Sequence, residues 1–183
     1  MMKLHFALAI FFLIILSCSS AKTNSIKNIN TESDTSQILH SIETDLEYIL
    51  FGVYCGKCSG HCATMYKYNM RGDSNTLHAD TTDSFLKNNE DVICQMQVHD
   101  SKQIELAKNV VEKIPNELLI TREETKRFGC PNCADQCGIY FELKQKTAVK
   151  KFYIDVDTSQ LSGDIKSFAE FLKKTIDKLK GQE

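Results

Sequence analysis

The sequence predicts an α+β fold, a single domain in which a mainly antiparallel β-sheet is covered by two or three helices. Segments of alternating apolar and polar residues, typical of half-buried strands, follow one another with short links. Two other segments, near 100–114 and 162–179, carry apolar residues at helical spacing. The chain contains no phosphate-binding loop, dinucleotide fingerprint or nucleophile elbow. The pattern therefore predicts an architecture and assigns no reaction.

The strands are predicted from alternation and from their β-branched and aromatic residues. In the second strand, Thr64, Tyr66 and Tyr68 fall on one face. The predicted strands are Asp45–Tyr54, Ala63–Met70, Thr76–Thr81, Val92–Val98, Gly138–Lys144 and Val149–Val156. The last two form a hairpin late in the chain, and the short links favour antiparallel pairing.

The first predicted helix begins at Asp100, with Gln103 as its capping partner, because an acidic residue followed three positions later by glutamine is a start signal. Pro115 ends it, because proline cannot continue a helix. Its predicted buried stripe is Ile104, Ala107, Val111 and Ile114.

Two further helices are predicted. A short one covers Thr121–Gly129, capped by Thr121 and Glu124 and stopped by the glycine. The C-terminal helix follows Ser162. Its predicted inner face is Ile165, Phe168, Leu172, Ile176 and Leu179.

The N-terminal segment predicts export from the cytoplasm. Lys3 supplies a positive start, and an uncharged apolar run from Leu4 to Leu16 follows it. This run is shorter than the roughly 20 residues that a membrane-spanning helix needs, so it is typical of a secretory signal.

The end of the apolar run, "ILSC" at Ile15–Cys18, resembles a bacterial lipobox. The resemblance implies that Cys18 receives a lipid after residues 1–17 are removed. Neither Ser19 nor Ser20 is the acidic residue that resembles an inner-membrane retention signal, which favours the outer membrane, facing the periplasm. The alternative is ordinary secretion with cleavage near Ala21, which discards Cys18.

Behind the signal peptide, residues 18–37 are rich in Ser, Thr and Asn and predict a flexible tether, and residues 38–183 form the globular domain. The chain carries 22 basic and 24 acidic residues, so removing Lys3 with the signal leaves 21 against 24. This acidic balance argues against a nucleic-acid partner, which requires a basic face. The predicted partner is the membrane, through the lipid at Cys18; a protein or small-molecule partner is not identified by the sequence.

Two cysteine triplets of equal spacing stand out, and each precedes an alternating strand. They are Cys55, Cys58, Cys62 and Cys130, Cys133, Cys137. Because similar strands follow both triplets, we expect the two clusters to lie at the same end of one sheet. That arrangement would allow a shared site.

One interpretation of the triplets is a metal site. Two C-x-x-C turns can present four thiolates to zinc, and "CGKC" and "CPNC" resemble zinc-ribbon knuckles. The zinc ligands would be Cys55, Cys58, Cys130 and Cys133. Outside the cytoplasm thiols tend to be oxidised, so the leading prediction has no cofactor.

A second interpretation is thiol–disulfide redox chemistry, because "CPNC" resembles the motif of thioredoxin-like oxidoreductases. In that family the motif opens a helix, whose N-terminus lowers the pKa of the first thiol. Here strand-forming sequence follows each motif. The sequence therefore ranks this reading below the others.

Disulfide staples are the leading interpretation, with all six triplet cysteines as candidates. Six cysteines allow 15 connectivities, and the sequence selects none of them. The simplest pairs are Cys58–Cys62 and Cys130–Cys133, which leave Cys55 and Cys137 as the remainder. Cys94 lies on an apolar strand face and is interpreted as a small core residue.

Two segments carry a family resemblance. "CSGHCATMY" is similar to a Cys-x-x-x-Cys segment of small uncharacterised bacterial envelope domains, and "FGCPNCADQCGIYFEL" resembles a Gly-Cys-Pro-x-Cys-Ala-Asp segment of related lipoproteins. Cys137 stands where that segment usually has glycine. The resemblance covers well under half of the chain; it implies a shared antiparallel sheet and no activity.

No catalytic residue is predicted. His40, His61, His78 and His99 lack a nucleophile and a carboxylate at a recognisable spacing. The sequence therefore predicts a lipid-anchored protein of the bacterial cell envelope, a non-enzymatic binding or structural module with stapled cysteine triplets. A zinc protein with four cysteine ligands and a thiol–disulfide redox protein are the alternatives.

Overall fold

The structure is a computed structural model that describes residues 45–72, 74–87, 91–131, 133, 136–146 and 148–181. The predicted signal peptide, the tether, Cys18 and His40 lie outside the described residues.

A seven-stranded sheet forms the centre of the domain. Its strands are β1 Leu46–Cys55, β2 Ala63–Asn69, β3 Thr76–Ala79, β4 Met96–Val98, β5 Thr125–Phe128, β6 Cys137–Gln145 and β7 Ala148–Asp155. Their order is β4-β3-β2-β1-β6-β7-β5. All neighbours are antiparallel except β5 and β7, which run parallel. The sheet is therefore mixed but mostly antiparallel, and the α+β class is confirmed.

Four helices accompany the sheet in the described part of the chain. They are α1 Ser84–Lys87, α2 Ser101–Glu112, α3 Asn116–Ile120 and α4 Gly163–Leu179, with a 3-10 turn at Thr158–Gln160. The two long helices lie where helical spacing predicted them. All five residues of the predicted inner face of α4 are buried.

The predicted start of α2 at Asp100 is confirmed, but the predicted capping role of Gln103 is wrong. The Asp100 carboxylate caps the helix by accepting the backbone N–H of Lys102 at 2.8 Å. Gln103, however, does not close a capping box, because its side-chain amide donates to the carbonyl of Leu179 in α4 at 3.0 Å. The Gln103 side chain, which a capping box would require, is therefore used in the contact between α2 and α4.

The predicted helix over Thr121–Gly129 is wrong. Helix α3 lies just before this segment, and Thr125–Phe128 forms the edge strand β5 beside β7. Phe128 packs on Phe152 of β7 with ring centroids 6.4 Å apart. Pairing with β7 therefore overrides the local helical preference of this segment.

The predicted strand Val92–Val98 is shorter than expected, because only Met96–Val98 pairs with β3. Val92 and Cys94 instead pack against a core cluster that contains Leu50, Met65 and Phe85.

The core has two parts, one on each face of the sheet. The larger part lies on the face that α2, α3 and α4 cover, and it includes Phe51, Phe141, Phe152, Phe168 and Leu172. The smaller part lies on the opposite face, which we call the second face. There Phe85 of α1 packs on the rings of Tyr54 and Tyr140, with centroids 5.1 and 4.8 Å apart; with Leu50, Ala63, Met65 and Tyr153 they form the second-face cluster.

Candidate functional site at the cysteine end of the sheet

The two triplets lie at the same end of one sheet, as the similar strands that follow them led us to expect. Strands β2 and β6 both pair with β1, one on each side, and they run in the same direction. Tyr54 of β1 therefore faces Ala63 on one side and Gly138 on the other. Cys62 and Cys137, which immediately precede these two residues, therefore lie at the same level on either side of β1.

Cys55 ends β1 and Cys137 begins β6, and the two residues are directly opposite each other. They form a disulfide with Cα atoms 4.0 Å apart, across a sequence separation of 82 residues. Directly opposed residues of antiparallel strands have Cα atoms about 4.5–5.5 Å apart, so the register alone brings these two cysteines within reach of a bond. Both residues are half-buried. This bridge joins the two triplets covalently across the sheet.

The other four cysteines form two local bridges, so the expected disulfide bonding is confirmed. Cys58–Cys62 has a Cα separation of 5.6 Å, and Cys130–Cys133 one of 5.4 Å. Both values lie inside the usual range of about 4.4–6.8 Å. Cys62 is half-buried, and the other three residues are exposed.

The three bridges differ in the length of chain that each one closes. In the chain-entropy model, closing 82 residues between Cys55 and Cys137 stabilises the fold by about 4.5 kcal/mol. The same model gives about 2 kcal/mol for each bridge of separation 4 or 3. Cys55–Cys137 is therefore the main covalent support of the sheet, whereas the other two bridges fix turns.

The first triplet is held by Asp83. One carboxylate oxygen of Asp83 accepts the backbone N–H of Ala63 at 3.1 Å, and the other lies 3.3 Å from Nδ1 of His61. Asp83 is buried and has a left-handed backbone with φ of 54°, which aspartate tolerates better than most residues. The backbone N–H of Cys55 also donates to the carbonyl of Cys62 at 2.8 Å. The loop is thus tied down at both ends.

The second triplet is held by Asp155 in a comparable way. One oxygen of this buried carboxylate accepts the backbone N–H of Cys130 at 2.9 Å, and the other accepts that of Asp157 at 2.9 Å. Gly129 has φ of 71°, and a Cβ there would lie 2.7 Å from Cβ of Asp155. Position 129 therefore requires glycine for two reasons, its backbone conformation and its close contact.

A zinc site formed by Cys55, Cys58, Cys130 and Cys133 would require reduction of all three disulfides, because these cysteines belong to three different bridges. A disulfide sulfur is not the thiolate that zinc binds. Within the described part of the chain, no group of three His, Cys, Asp or Glu residues is arranged to hold a metal ion.

Cys94 is the one free cysteine among the described residues. It is half-buried beside the second-face cluster. Burial raises the pKa of its thiol to about 12, and the negative charge of Asp80 adds to the effect. A thiol with this pKa stays protonated at neutral pH and is a poor nucleophile.

The histidines lie in separate environments. His61 pairs with Asp83, a contact that sequence spacing did not reveal because Asp83 lies far along the chain. Nδ1 of His78 lies 3.2 Å from the side-chain amide of Asn69, and His99 is exposed. Because the His61 side chain is 83% exposed, the buried bond from the N–H of Ala63 to Asp83 is the contact that holds this loop.

A polar network on the second face was not predicted from the sequence. Its centre is Glu142, which is buried and accepts hydrogen bonds from the hydroxyls of Tyr48 at 2.8 Å and Tyr140 at 2.5 Å. Burial and the bond to Glu142 raise the pKa of the Tyr48 hydroxyl above its ordinary value. One feature of the sequence could have indicated this network, namely that Glu142 is a charged residue inside the apolar run "GIYFEL".

The network continues through rings on both sides of Glu142. Nζ of Lys67 lies 4.0 Å from the ring centroid of Tyr48. On the other side, the ring of Tyr140 packs at 5.4 Å on that of Tyr153, over which the guanidinium of Arg127 lies at 4.4 Å. The contacts link strands β2, β1, β6, β7 and β5 in a continuous line. We interpret this line as a support of the sheet, because the central groups are buried.

Within the residues that the structure places, no helix is long and apolar enough to cross a membrane.

The cysteine end combines one half-buried cross-strand disulfide with two local bridges on loops that buried aspartates hold. No protein-family model matches the chain, and no curated protein or solved structure matches it either.

Proposed function

We propose that this chain is a lipid-anchored protein of the bacterial cell envelope and that its domain acts as a non-enzymatic binding or structural module. The observation that supports the proposal best is the pairing of all six triplet cysteines in disulfides. Disulfides form and persist outside the cytoplasm, as in the bacterial periplasm. The signal-like N-terminus and the lipobox resemblance at Cys18 point to the same compartment.

In this proposal residues 1–17 are removed, Cys18 carries the lipid, and residues 18–37 tether the domain to the outer membrane, facing the periplasm. The local resemblances of both triplet segments to bacterial envelope lipoproteins support this placement. The acidic balance of the chain fits a partner other than nucleic acid.

The lipid anchor is tested in cells that express the full chain and are labelled with a palmitate analogue. The native chain should be labelled and should partition into detergent, whereas Cys18→Ala should be neither labelled nor retained with membranes. Cys94→Ala is the matched control, because it removes a cysteine from the domain and leaves Cys18 in place. Continued labelling of Cys18→Ala would overturn the anchor.

The choice of membrane is tested separately by density fractionation of the two membranes. The native chain should fractionate with the outer membrane. Ser19→Asp introduces the residue that resembles a retention signal and should move the protein to the inner membrane, whereas Ser19→Asn should not. Inner-membrane fractionation of the native chain would contradict the proposed location.

The zinc alternative is separated by counting free thiols and bound metal on the purified mature protein. The proposal predicts that the triplet cysteines are all oxidised and that metal is absent in stoichiometric amount. One zinc ion per chain, with free thiols at Cys55, Cys58, Cys130 and Cys133, would establish the alternative.

A further inference from the structure

We propose that the Cys130–Cys133 disulfide is a two-electron redox centre that exchanges with a dithiol while Cys55–Cys137 stays closed and holds the sheet. This inference goes beyond the anchored module and does not depend on Cys18. It rests on three observations about this bridge. Both of its cysteines are exposed, Asp155 holds the loop at Cys130, and the bridge closes a sequence separation of only 3.

Access distinguishes this bridge from the other two. Cys130 and Cys133 are both exposed, whereas Cys55 and Cys137 are half-buried, and so is Cys62 in the third bridge. Thiol–disulfide exchange requires a thiolate to reach a sulfur of the bond. Cys58–Cys62 offers one exposed residue, Cys58, whereas Cys130–Cys133 offers two, so exchange can begin at either of its sulfurs.

The loop around this bridge has support that does not depend on the bond. The N–H of Cys130 is held by Asp155, against which Gly129 packs. The N–H of Cys133 donates to the carbonyl of Cys130 at 3.1 Å. These contacts keep the two residues adjacent after reduction, so the thiols remain placed to close the bond again.

The rest of the fold does not need this bridge. It spans a sequence separation of 3, whereas Cys55–Cys137 spans 82 and ties β1 to β6 a few residues away. Opening the short bridge therefore frees one turn and leaves the sheet cross-linked. The centre can change its redox state without unfolding the domain.

The exchange proceeds in two steps that balance. A thiolate of the dithiol attacks one sulfur of the bridge, forms a mixed disulfide and releases the other sulfur as a thiolate, which takes up a proton. The second thiol of the partner, as its thiolate, then attacks the partner's own sulfur in the mixed disulfide. This closes the partner's disulfide and releases the second cysteine of the bridge as a thiolate, which takes up the second proton. Two electrons and two protons pass to Cys130 and Cys133, and the dithiol is oxidised.

The test equilibrates the oxidised full chain with stepped ratios of reduced to oxidised dithiothreitol, traps thiols with iodoacetamide and quantifies each cysteine peptide by mass spectrometry. Cys130 and Cys133 should be alkylated together, at a ratio roughly tenfold or more below that needed for Cys55 and Cys137, with an unchanged circular dichroism spectrum. Reoxidation should restore the same pair. Two outcomes would overturn the proposal. One is reduction of Cys130–Cys133 and Cys55–Cys137 at the same ratio, with loss of the β-sheet signal in the circular dichroism spectrum. The other is reoxidation to pairs other than Cys130–Cys133.

Asp155 is tested as a positioning residue by the rate at which the reduced pair closes in oxidised dithiothreitol. Asp155→Ala should slow closure several-fold, because the loop loses its contact with Cys130. Asp157→Ala, which alters a neighbouring exposed aspartate, should close at the native rate. Equal rates for native and Asp155→Ala protein would show that the loop is not prearranged, and the equilibrium titration of the native chain tests the centre if Asp155→Ala does not fold.

Discussion

Cys55 and Cys137 face each other at the end of two neighbouring strands, and their disulfide closes a separation of 82 residues. Replacing both residues with alanine should lower the free energy of unfolding by about 4.5 kcal/mol, because the unfolded chain regains the entropy of a long loop. Urea denaturation followed by circular dichroism measures the change.

The matched control for this prediction is the double replacement Cys58→Ala with Cys62→Ala, which opens a bridge of separation 4. Its expected loss is smaller, about 2 kcal/mol. Equal losses in the two double variants would contradict the assignment of Cys55–Cys137 as the main support.

Glu142 is the buried centre of the second-face network. Glu142→Leu should lower the free energy of unfolding by about 2–4 kcal/mol, because it removes the hydrogen bonds that Glu142 accepts from the hydroxyls of Tyr48 and Tyr140. Tyr48→Phe, which removes one of the two bonds, should lose about 1 kcal/mol. Chemical denaturation measures both.

Glu170→Leu is the comparison for Glu142, because Glu170 is an exposed glutamate that accepts one side-chain bond, from Thr158. Its expected effect is within about 0.5 kcal/mol of zero. The network would carry no special stability if Glu142→Leu and Glu170→Leu had the same effect.

Asp80 makes stability depend on pH. Burial alone would raise the pKa of this carboxyl, but bonds from the backbone and side chains of Thr82 and Ser84 outweigh it and hold the pKa below the ordinary 3.8. A lowered pKa contributes stability that is present above the unfolded value and is lost as the pH falls through the folded value. The contribution should therefore be complete at neutral pH and decline below about pH 4.

The measurement compares the unfolding free energy of native protein and Asp80→Asn at pH 7 and pH 3. The difference between them should be largest at pH 7 and should shrink at pH 3. Asp91→Asn, at an exposed position in the same region, serves as the control and should be close to native at pH 7. A native–variant difference for Asp80 that grows on acidification would contradict the sign of the effect.

Cys94 should resist alkylation in the folded protein, because burial raises the pKa of its thiol to about 12. Iodoacetamide at pH 8 should leave the Cys94 peptide unmodified in the native state and should label it fully in guanidinium chloride. Mass spectrometry reads both states. Rapid labelling of Cys94 in the native protein would identify it as a reactive thiol and contradict its assignment to the core.

Local pattern was sufficient for the elements whose buried face repeats regularly. The stripe from Ile165 to Leu179 predicted α4, and alternation predicted β2, because burial of one face imposes a period on the sequence. Strand β1 was predicted from its β-branched and aromatic residues, which suit a strand that is buried on both faces. The same logic failed at Thr125–Phe128. Its alternating exposure arises only from pairing with β7, whereas its composition favours a helix.

The sequence by itself determined that the two triplets belong together and that they precede similar strands, because spacing is a property of the chain. Only the tertiary structure decided the pairing of Cys55 with Cys137, since that bond requires the register of β1 against β6. It also decided that Asp83 and Asp155 hold the two loops. These contacts join residues distant along the chain, and no local pattern records which distant groups folding brings together.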